Sequence, residues 1–252
     1  MLNHPTLELR LQARQRPADR QHVMLQSWHD LLFLHWEIEP ELIQASLPPG
    51  LTVDTWNGKA YIGIVPFLMR NIRPRFFPAV PGISNFHEVN VRTYVFDKHG
   101  TPGVWFYSLD ANQWLAVRLA RSLFQLPYFD ATMAHQKDGD HINYQSHRKG
   151  TGPLKKSNFN YSIGEYLGTA EPSSFEFFLA ERYILFAYRK NGQLYSGQVI
   201  HTPYPLYNVA LKNFDTSLID LAGFPAPISP PDHVLFSPGV DVDVFAIEKV
   251  LL

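Results

Sequence analysis

The amino-acid sequence predicts a mainly β (α+β) fold, an antiparallel sheet that is strongly curved or closed into a barrel and carries a few inserted helices. Two Asn-Gly pairs, Asn57-Gly58 and Asn191-Gly192, separate strand-like segments, and Asn-Gly is the strongest short hairpin signal. The strands follow one another closely, without the strand–helix alternation of a parallel sheet. Such a sheet must hide its edges, and closure into a barrel does so most simply.

In the first half of the chain, alternating apolar and polar residues predict five strands and one short helix. The helix begins at Pro40, a residue suited to the first helical turn, and Pro48-Pro49-Gly50 ends it. The second and third strands are expected to pair across the first Asn-Gly turn, and the last two with each other. The predicted strands comprise residues 30–38, 51–56, 59–69, 86–96 and 104–109.

The second half of the chain is predicted to carry three helices among further strands. Asp110 has the character of an N-cap for a helix over 111–125, which Pro127 would end. Ser173 and Glu176 have capping-box spacing for a helix that ends near residue 181, and a third helix is expected over 213–222. The Pro-rich segment 223–231 predicts a loop. The remaining predicted strands comprise residues 141–148, 159–166, 182–190, 193–201, 234–237 and 242–250.

The composition predicts one domain over residues 25–252, preceded by an N-terminal extension over 1–24 that adds little to the core. Hydrophobic residues make up 45% of the chain and charged residues 18%, which is typical of a globular protein. The net charge of −1 argues against a nucleic-acid partner. No apolar run is long enough to span a bilayer, and the N-terminus lacks the apolar region of a signal peptide. We therefore expect a cytoplasmic protein with no membrane partner.

The segment 86–96 carries the most informative pattern in the chain. As a strand, it places Glu88, Asn90, Arg92 and Tyr94 on one face and valines and a threonine on the other. Charged side chains are rarely buried unless they are paired or bind a ligand. We therefore expect the polar face to line a cavity, with Val89 and its neighbours packed on the opposite side.

Seven sequence motifs are spread over most of the chain, from Phe33 to Leu206. They are FLHWEIEPELIQASLPPGL, YIGIVPFLMRNIRP, FHEVNVRTYV, GVWFYSLDA, ARSLFQLPYFDA, FLAERYILF and HTPYPL. With these motifs the chain resembles the YqjF-like family of uncharacterised conserved proteins, in the acetoacetate decarboxylase-like superfamily. The resemblance implies a curved antiparallel sheet that closes into a cone-shaped barrel around a central cavity.

The same resemblance implies that the decarboxylase mechanism is absent. Acetoacetate decarboxylase uses a lysine that forms a Schiff base with a β-keto acid, its pKa lowered by a neighbouring lysine. In the matching segment, residues 120–129, Tyr128-Phe129 stand where the two lysines would be. A phenol cannot form an imine, so we expect no decarboxylation of acetoacetate by this route. Lys155-Lys156 is an alternative position for a migrated lysine pair, although such a pair is more often exposed in a loop.

Each candidate site residue has a functional and a structural interpretation. Glu88 is a candidate general acid or base with a pKa raised by burial, or the structural partner of an arginine. Arg92 could hold a ligand carboxylate through its planar guanidinium or form an internal ion pair. Arg121 is favoured over Arg118, one helical turn away, by its position in the family motif. The predicted ligand-binding residues are Asn90, Arg92, Arg121, Tyr128, Arg182 and His201.

The sequence leaves two functional classes open, together with a scaffold whose interior is filled. The first is a cavity that binds a small carboxylate or keto-acid-like molecule without chemistry. The second is a lyase- or isomerase-like enzyme in which Glu88 moves a proton and an arginine holds the carboxylate. An unpaired Glu88 favours the enzyme, and a Glu–Arg pair favours binding alone. The histidine spacing predicts no metal site, no cofactor is predicted, and the protein could form a homo-oligomer.

Overall fold

The computed structural model describes residues 4–114, 118, 126–153, 155–189 and 191–251. Within this part of the chain, thirteen strands form one sheet and four helices are labelled below. The helices are α1 (Leu7–Ala13), α2 (Pro40–Ser46), α3 (Phe175–Ala180) and α4 (Ser217–Leu221). The strands are β1 (Met24–Ile38), β2 (Leu51–Val53), β3 (Ala60–Pro74), β4 (Phe86–Asp97), β5 (Pro102–Ala111), β6 (Tyr128–Asp138), β7 (His141–Arg148), β8 (Lys156–Gly168), β9 (Ile184–Tyr188), β10 (Leu194–His201), β11 (Leu206–Asn213), β12 (His233–Val244) and β13 (Glu248–Lys249).

The pairing of the strands returns to its starting point. From β5 it runs through β6, β7, β8, β11, β12, β1, β3 and β4 and back to β5, a path of nine strands. A second path joins β5 to β12 through β9 and β10. The predicted mainly β fold is confirmed. The pairs are antiparallel as expected except for β5–β6 and β5–β9, which are parallel.

The strands shared by the two paths are buried on both faces. One face of β1, β3 and β4 contacts a first core that contains Phe33, Val65 and Phe67. The opposite face contacts a second core that contains Leu32, Ile64 and Val91. Side chains alternate between the two faces of a strand, and both faces of β1, β3 and β4 are buried. The sequences of these strands are therefore nearly continuous apolar runs, with polar residues at isolated positions.

The predicted pairing of the two strands on either side of Asn57-Gly58 is wrong. The turn itself forms, with both residues at positive φ, but it is closed by a single bridge between Trp56 and Lys59. Strand β2 pairs with β4 instead. The buried carboxylate of Asp54, which follows β2, accepts hydrogen bonds from two arginines and draws this segment away from β3.

Other differences concern the strands of the second half. Asp110 lies in β5 and is not a helix N-cap, and most of the predicted helix over 111–125 lies outside the described residues. Strands β6 and β11 were not predicted, because their partly exposed residues are mostly polar. The Gly139-Asp140 pair between β6 and β7 was the missed signal, since these two residues form the turn that joins the two strands. Strand β12 is continuous where two strands were predicted, and α4 is shorter than the helix predicted over 213–222.

The N-terminal extension is peripheral but attached. None of the residues of α1 is buried. Arg10 nevertheless donates two hydrogen bonds, of 2.8 and 2.9 Å, to the carboxylate of Asp54. Gln198 on β10 donates from Nε2 to the carbonyl oxygens of Ala13 and Gln15. The extension is therefore held across the sheet by polar contacts instead of apolar burial.

Gly239 allows β12 to approach β1 at a bulge, and its replacement by alanine should destabilise the fold. Its φ is +138°, and an added Cβ would lie 2.1 Å from the carbonyl oxygen of Trp28. Backbone strain and the steric clash should together cost about 2–3 kcal/mol. Urea unfolding of Gly239→Ala measures this, with Gly58→Ala as a control for positive φ without a contact. Equal stability of the two variants would contradict the assigned role of the close approach.

Candidate functional site

The polar residues of β4 are buried on the face that contacts the first core. Glu88 is 2% exposed and Arg92 is 8% exposed, and Asn90 between them is also buried. In the register with β3 they lie beside Phe67, Val65 and Gly63. Val89 and Val91 pack on the opposite face, in the second core. Strand β4 therefore places a row of polar groups in apolar surroundings, where each polar group needs a partner.

Arg92 has only neutral partners in the described part of the chain. Its Nη2 donates to the carbonyl oxygen of Leu179 at 3.2 Å and lies 3.5 Å from the hydroxyl of Tyr94. Its guanidinium carbon lies 5.5 Å from the ring centre of Phe33. No described carboxylate forms an ion pair with it, and Nε has no hydrogen-bond partner among the described residues. Its positive charge is thus buried without a counter-ion among the described residues.

The other two buried arginines differ from Arg92 in this respect. Arg148 donates three hydrogen bonds to the fully buried Asp110, the shortest at 2.8 Å. Arg182 binds Asp54 at 2.8 Å and donates from Nε to the carbonyl oxygen of Phe178 at 2.7 Å. Arg182, a predicted ligand-binding residue, therefore links the end of α3 to the loop after β2.

Glu88 lies at the other end of the row and has no cationic partner among the described residues. Its Oε2 accepts a hydrogen bond of 3.0 Å from the hydroxyl of Tyr128. Burial raises the pKa of the Glu88 carboxyl to about 8, while the bond from Tyr128 lowers it and the nearby Asp110 raises it. Arg92 is not the partner of Glu88, because the two residues lie four positions apart on β4, roughly 13 Å along an extended strand.

His201 connects the first core to the surface. It ends β10, is 8% exposed, and lines an open pocket of about 520 Å³ together with Ser27 and Thr202. Its ring stacks on Tyr183 with a centroid distance of 4.6 Å and lies 4.6 Å from the ring of Tyr204. A chain of contacts links this pocket to Arg92, because Tyr204 in turn contacts Phe33 at 5.3 Å and Phe33 contacts Arg92 at 5.5 Å.

We use the name chamber for the buried cluster of Arg92, Phe33, Tyr204 and His201, in which each ring or guanidinium contacts the next. Nδ1 of His201 lies 2.7 Å from the carbonyl oxygen of Thr202. Burial lowers the pKa of His201 to about 4, the bond to Thr202 opposes this, and Arg14 and Arg92 lower it further. Its Nε2 is buried and has no partner among the described residues. The chamber thus contains a cation and a neutral imidazole with unused hydrogen-bonding groups.

Sequence reasoning missed the residues that hold Tyr94 and hence Arg92. Tyr94 donates to the carbonyl oxygen of Leu179 at 2.8 Å and lies 2.6 Å from Nε2 of the fully buried His35. The other ring nitrogen of His35, Nδ1, lies 3.3 Å from Nδ1 of His233. The sequence signal for His35 was its position in the middle of an otherwise apolar strand, β1. His35 pairs with Gly63, and a Cβ added to Gly63 would lie 2.9 Å from the imidazole of His35.

The remaining predicted residues that the structure describes are not part of the chamber. Arg121 lies outside the described residues. Tyr128 binds Glu88, as described above. Lys155 forms an ion pair with Asp220, and Lys156 is exposed at the start of β8. Their surface positions do not favour a migrated lysine pair.

The family model and the relatives agree with the resemblance seen in the motifs. The DUF2071 family, described as an uncharacterized conserved protein, matches residues 25–241. The chain belongs to DUF2071. This DUF2071 member is 40% identical over 211 residues to the uncharacterized protein YqjF of Bacillus subtilis (strain 168), and the match covers 83% of the chain and 85% of YqjF. The predicted YqjF-like membership is confirmed.

Solved structures show the fold of this DUF2071 member. An acetoacetate decarboxylase-like enzyme from Sphingomonas wittichii RW1 superposes with a TM-score of 0.60 at 11% identity, over 91% of this chain and 93% of that one. The enduracididine biosynthesis enzyme MppR complexed with pyruvate superposes with a TM-score of 0.60 at 13% identity, over 93% of each chain. The acetoacetate decarboxylase-like fold is therefore confirmed.

The described residues include neither a membrane-spanning helix nor a cluster of metal ligands. No helix there is long and apolar enough to cross a membrane. No three histidine or acidic side chains in the described ranges converge as ligands of a metal ion.

Proposed function

We propose that this protein binds a small carboxylate in the chamber, with the guanidinium of Arg92 holding the carboxylate group. The ligand would enter by the pocket at His201 and rest against Phe33 and Tyr204. The closed path of nine strands supports a finer description of the fold as a barrel that encloses this chamber. MppR, whose structure contains pyruvate, supports a small keto acid or a related carboxylate as the ligand class.

The observation that carries the proposal is the buried, unpaired charge of Arg92. Burying an ion without a counter-ion is expensive, and buried charges are normally paired. Arg148 and Arg182 follow this rule within the same protein, each with a carboxylate at 2.8 Å. A carboxylate ligand would give Arg92 the same kind of partner, through charge-assisted hydrogen bonds to Nε and the terminal nitrogens.

Thermal shift and calorimetry with a panel of small carboxylates test this proposal. We expect carboxylates to stabilise the wild-type protein and the corresponding amides to have no effect. Arg92→Gln should lose at least about 10-fold in affinity, as expected for a lost charged hydrogen bond. Arg73→Gln, at the half-buried arginine that lines the outer pocket, is the matched control and should bind normally.

The opposite pattern, with binding lost in Arg73→Gln and kept in Arg92→Gln, would place the carboxylate outside the chamber. The absence of binding by every carboxylate would overturn the proposal itself. Borohydride treatment of the same mixtures should leave the intact mass unchanged, because Tyr128 and Phe129 replace the amines of the decarboxylase. A stable adduct on Lys155 or Lys156 would restore a Schiff-base enzyme.

A second candidate function is proton transfer by Glu88, as in a lyase or isomerase. The observation that favours it is that Glu88 has no cationic partner in the described structure, so that its carboxyl is free to exchange a proton near neutral pH. A pKa of about 8 suits a general acid or base at that pH. The test is deuterium incorporation into a keto acid added to the protein, followed by NMR: loss in Glu88→Gln supports proton transfer, and exchange that persists in this variant excludes Glu88.

A further inference from the structure

We propose that the chamber selects a hydroxycarboxylate over the keto acid of the same carbon skeleton. This inference rests on the proposed function, because it names the ligand class of the same site. It follows from which hydrogen-bonding groups around the chamber remain without a partner. A ligand that fits must offer an acceptor to Arg92 and a donor to the groups described next.

The imidazole of His201 can only accept a hydrogen bond from a ligand. Its Nδ1 lies 2.7 Å from the carbonyl oxygen of Thr202. A carbonyl oxygen cannot donate, so Nδ1 must carry the proton of this ring. In the neutral imidazole the other nitrogen, Nε2, then has a lone pair and no proton. Nε2 is buried and without a partner among the described residues, so a bound ligand that reaches it must present an O–H or N–H group.

The other unused groups on this face complete the pattern. Oδ1 of Asn90 is a buried acceptor without a described partner, and Nε of Arg92 is a buried donor in the same condition. Asn90 and Arg92 are two residues apart on β4 and therefore face the same side. The groups without a described partner are therefore one cationic donor, Nε of Arg92, and two acceptors, Oδ1 of Asn90 and Nε2 of His201. A carboxylate satisfies the donor, and a hydroxyl group satisfies an acceptor.

Arg92 and His201 each contact one member of the aromatic pair formed by Phe33 and Tyr204. Phe33 lies 5.5 Å from the guanidinium carbon of Arg92 and 5.3 Å from the ring of Tyr204. Tyr204 lies 4.6 Å from the ring of His201. A molecule a few carbons long, packed against these two rings, would thus meet the guanidinium at one end and the imidazole at the other.

A keto acid fits the same space less well. Its carbonyl oxygen has lone pairs only and would face the lone pair of His201 Nε2, after displacing any water that could donate to it. A site built to hydrogen-bond a hydroxyl discriminates strongly against an analogue that lacks it, because a buried polar group is left unpaired. We therefore expect a preference of at least about 10-fold for the hydroxy acid.

The experiment measures the dissociation constants of matched pairs by calorimetry, lactate against pyruvate and 2-hydroxyisovalerate against 2-oxoisovalerate. Two variants locate the preference. His201→Asn keeps an amide N–H near the position of Nδ1 for the bond to Thr202 but removes the acceptor at the position of Nε2. His201→Gln instead places an amide oxygen near the position of Nε2. The preference should fall to about 1–3-fold in His201→Asn and be partly retained in His201→Gln.

The outcomes separate the two proposals. Binding of both acids with the hydroxy acid favoured, and the preference lost in His201→Asn, supports the inference. Keto acids that bind as tightly as their hydroxy partners overturn the inference and leave carboxylate binding intact. A preference unchanged in His201→Asn overturns the role of His201. If neither member of any pair binds, carboxylate binding itself is overturned, and the inference with it.

Discussion

Replacing Arg148 by methionine should lower the free energy of unfolding by about 3–5 kcal/mol, because it leaves a buried carboxylate without its partner. Asp110 is fully buried and receives three hydrogen bonds, all from Arg148. Burial raises the pKa of Asp110, while the hydrogen bond and charge of Arg148 lower it. Without Arg148 the carboxyl must either stay charged in apolar surroundings or take up a proton.

Arg92→Met is the matched comparison. This substitution should lower the free energy of unfolding by less than about 1 kcal/mol, or even raise it. No described carboxylate depends on Arg92, and the carbonyl oxygen of Leu179 keeps its hydrogen bond from Tyr94. Removing an unpaired buried charge relieves its desolvation cost. Urea unfolding at pH 7, monitored by tryptophan fluorescence, measures both variants. If Arg92→Met were as destabilising as Arg148→Met, Arg92 would have a structural role instead of a ligand-binding one.

Glu88→Gln should stabilise the protein by an amount that grows with pH, reaching an upper bound of about 5 kcal/mol above pH 8. The folded-state pKa of Glu88 is about 8 and its ordinary value is 4.5, and burial is the main cause of the difference. Between these two values the folded protein holds a proton that the unfolded chain has released. The stability of the wild-type protein therefore falls as the pH rises from about 4.5 to 8. Glutamine cannot ionise, so the stability of the variant should not fall over this pH range through residue 88.

The test is urea unfolding of both proteins at pH 5, 7 and 9. Glu165→Gln serves as the control for the same substitution at an exposed site, because Glu165 is exposed on β8. The titrating groups near Glu88 are Tyr128, Asp110 and Tyr144, all present in both proteins. A Glu88→Gln variant that is less stable than the wild type at pH 9 would show that the carboxylate is paired and charged in the folded state.

The polar row on β4 could be predicted from the sequence because a strand has a fixed period of two. Once Phe86–Asp97 forms a strand, Glu88, Asn90 and Arg92 must share a face. The packing of Val89 and Val91 on the opposite face, in the second core, agrees with the same prediction. His201 was predicted as a ligand-binding residue from its family motif.

The pairing of the arginines could not be predicted. Arg92, Arg148 and Arg182 are equivalent as residues, and only the tertiary structure brings Asp110 and Asp54 to two of them. The same limit applies to His35, whose partners Tyr94 and His233 lie 59 and 198 residues away in the chain. Strand β6 was missed for a local reason, since its exposed polar residues resemble a loop until its pairing with β7 is known.

The most direct test of carboxylate binding at Arg92 is a crystal structure of the protein grown with lactate or 2-hydroxyisovalerate. The account predicts a carboxylate within hydrogen-bond distance of Arg92, at about 2.7–2.9 Å from its nitrogens, with the hydroxyl group directed to Nε2 of His201. A ligand bound only at the outer pocket beside Arg73, or an Arg92 paired with a carboxylate of the protein itself, would contradict it.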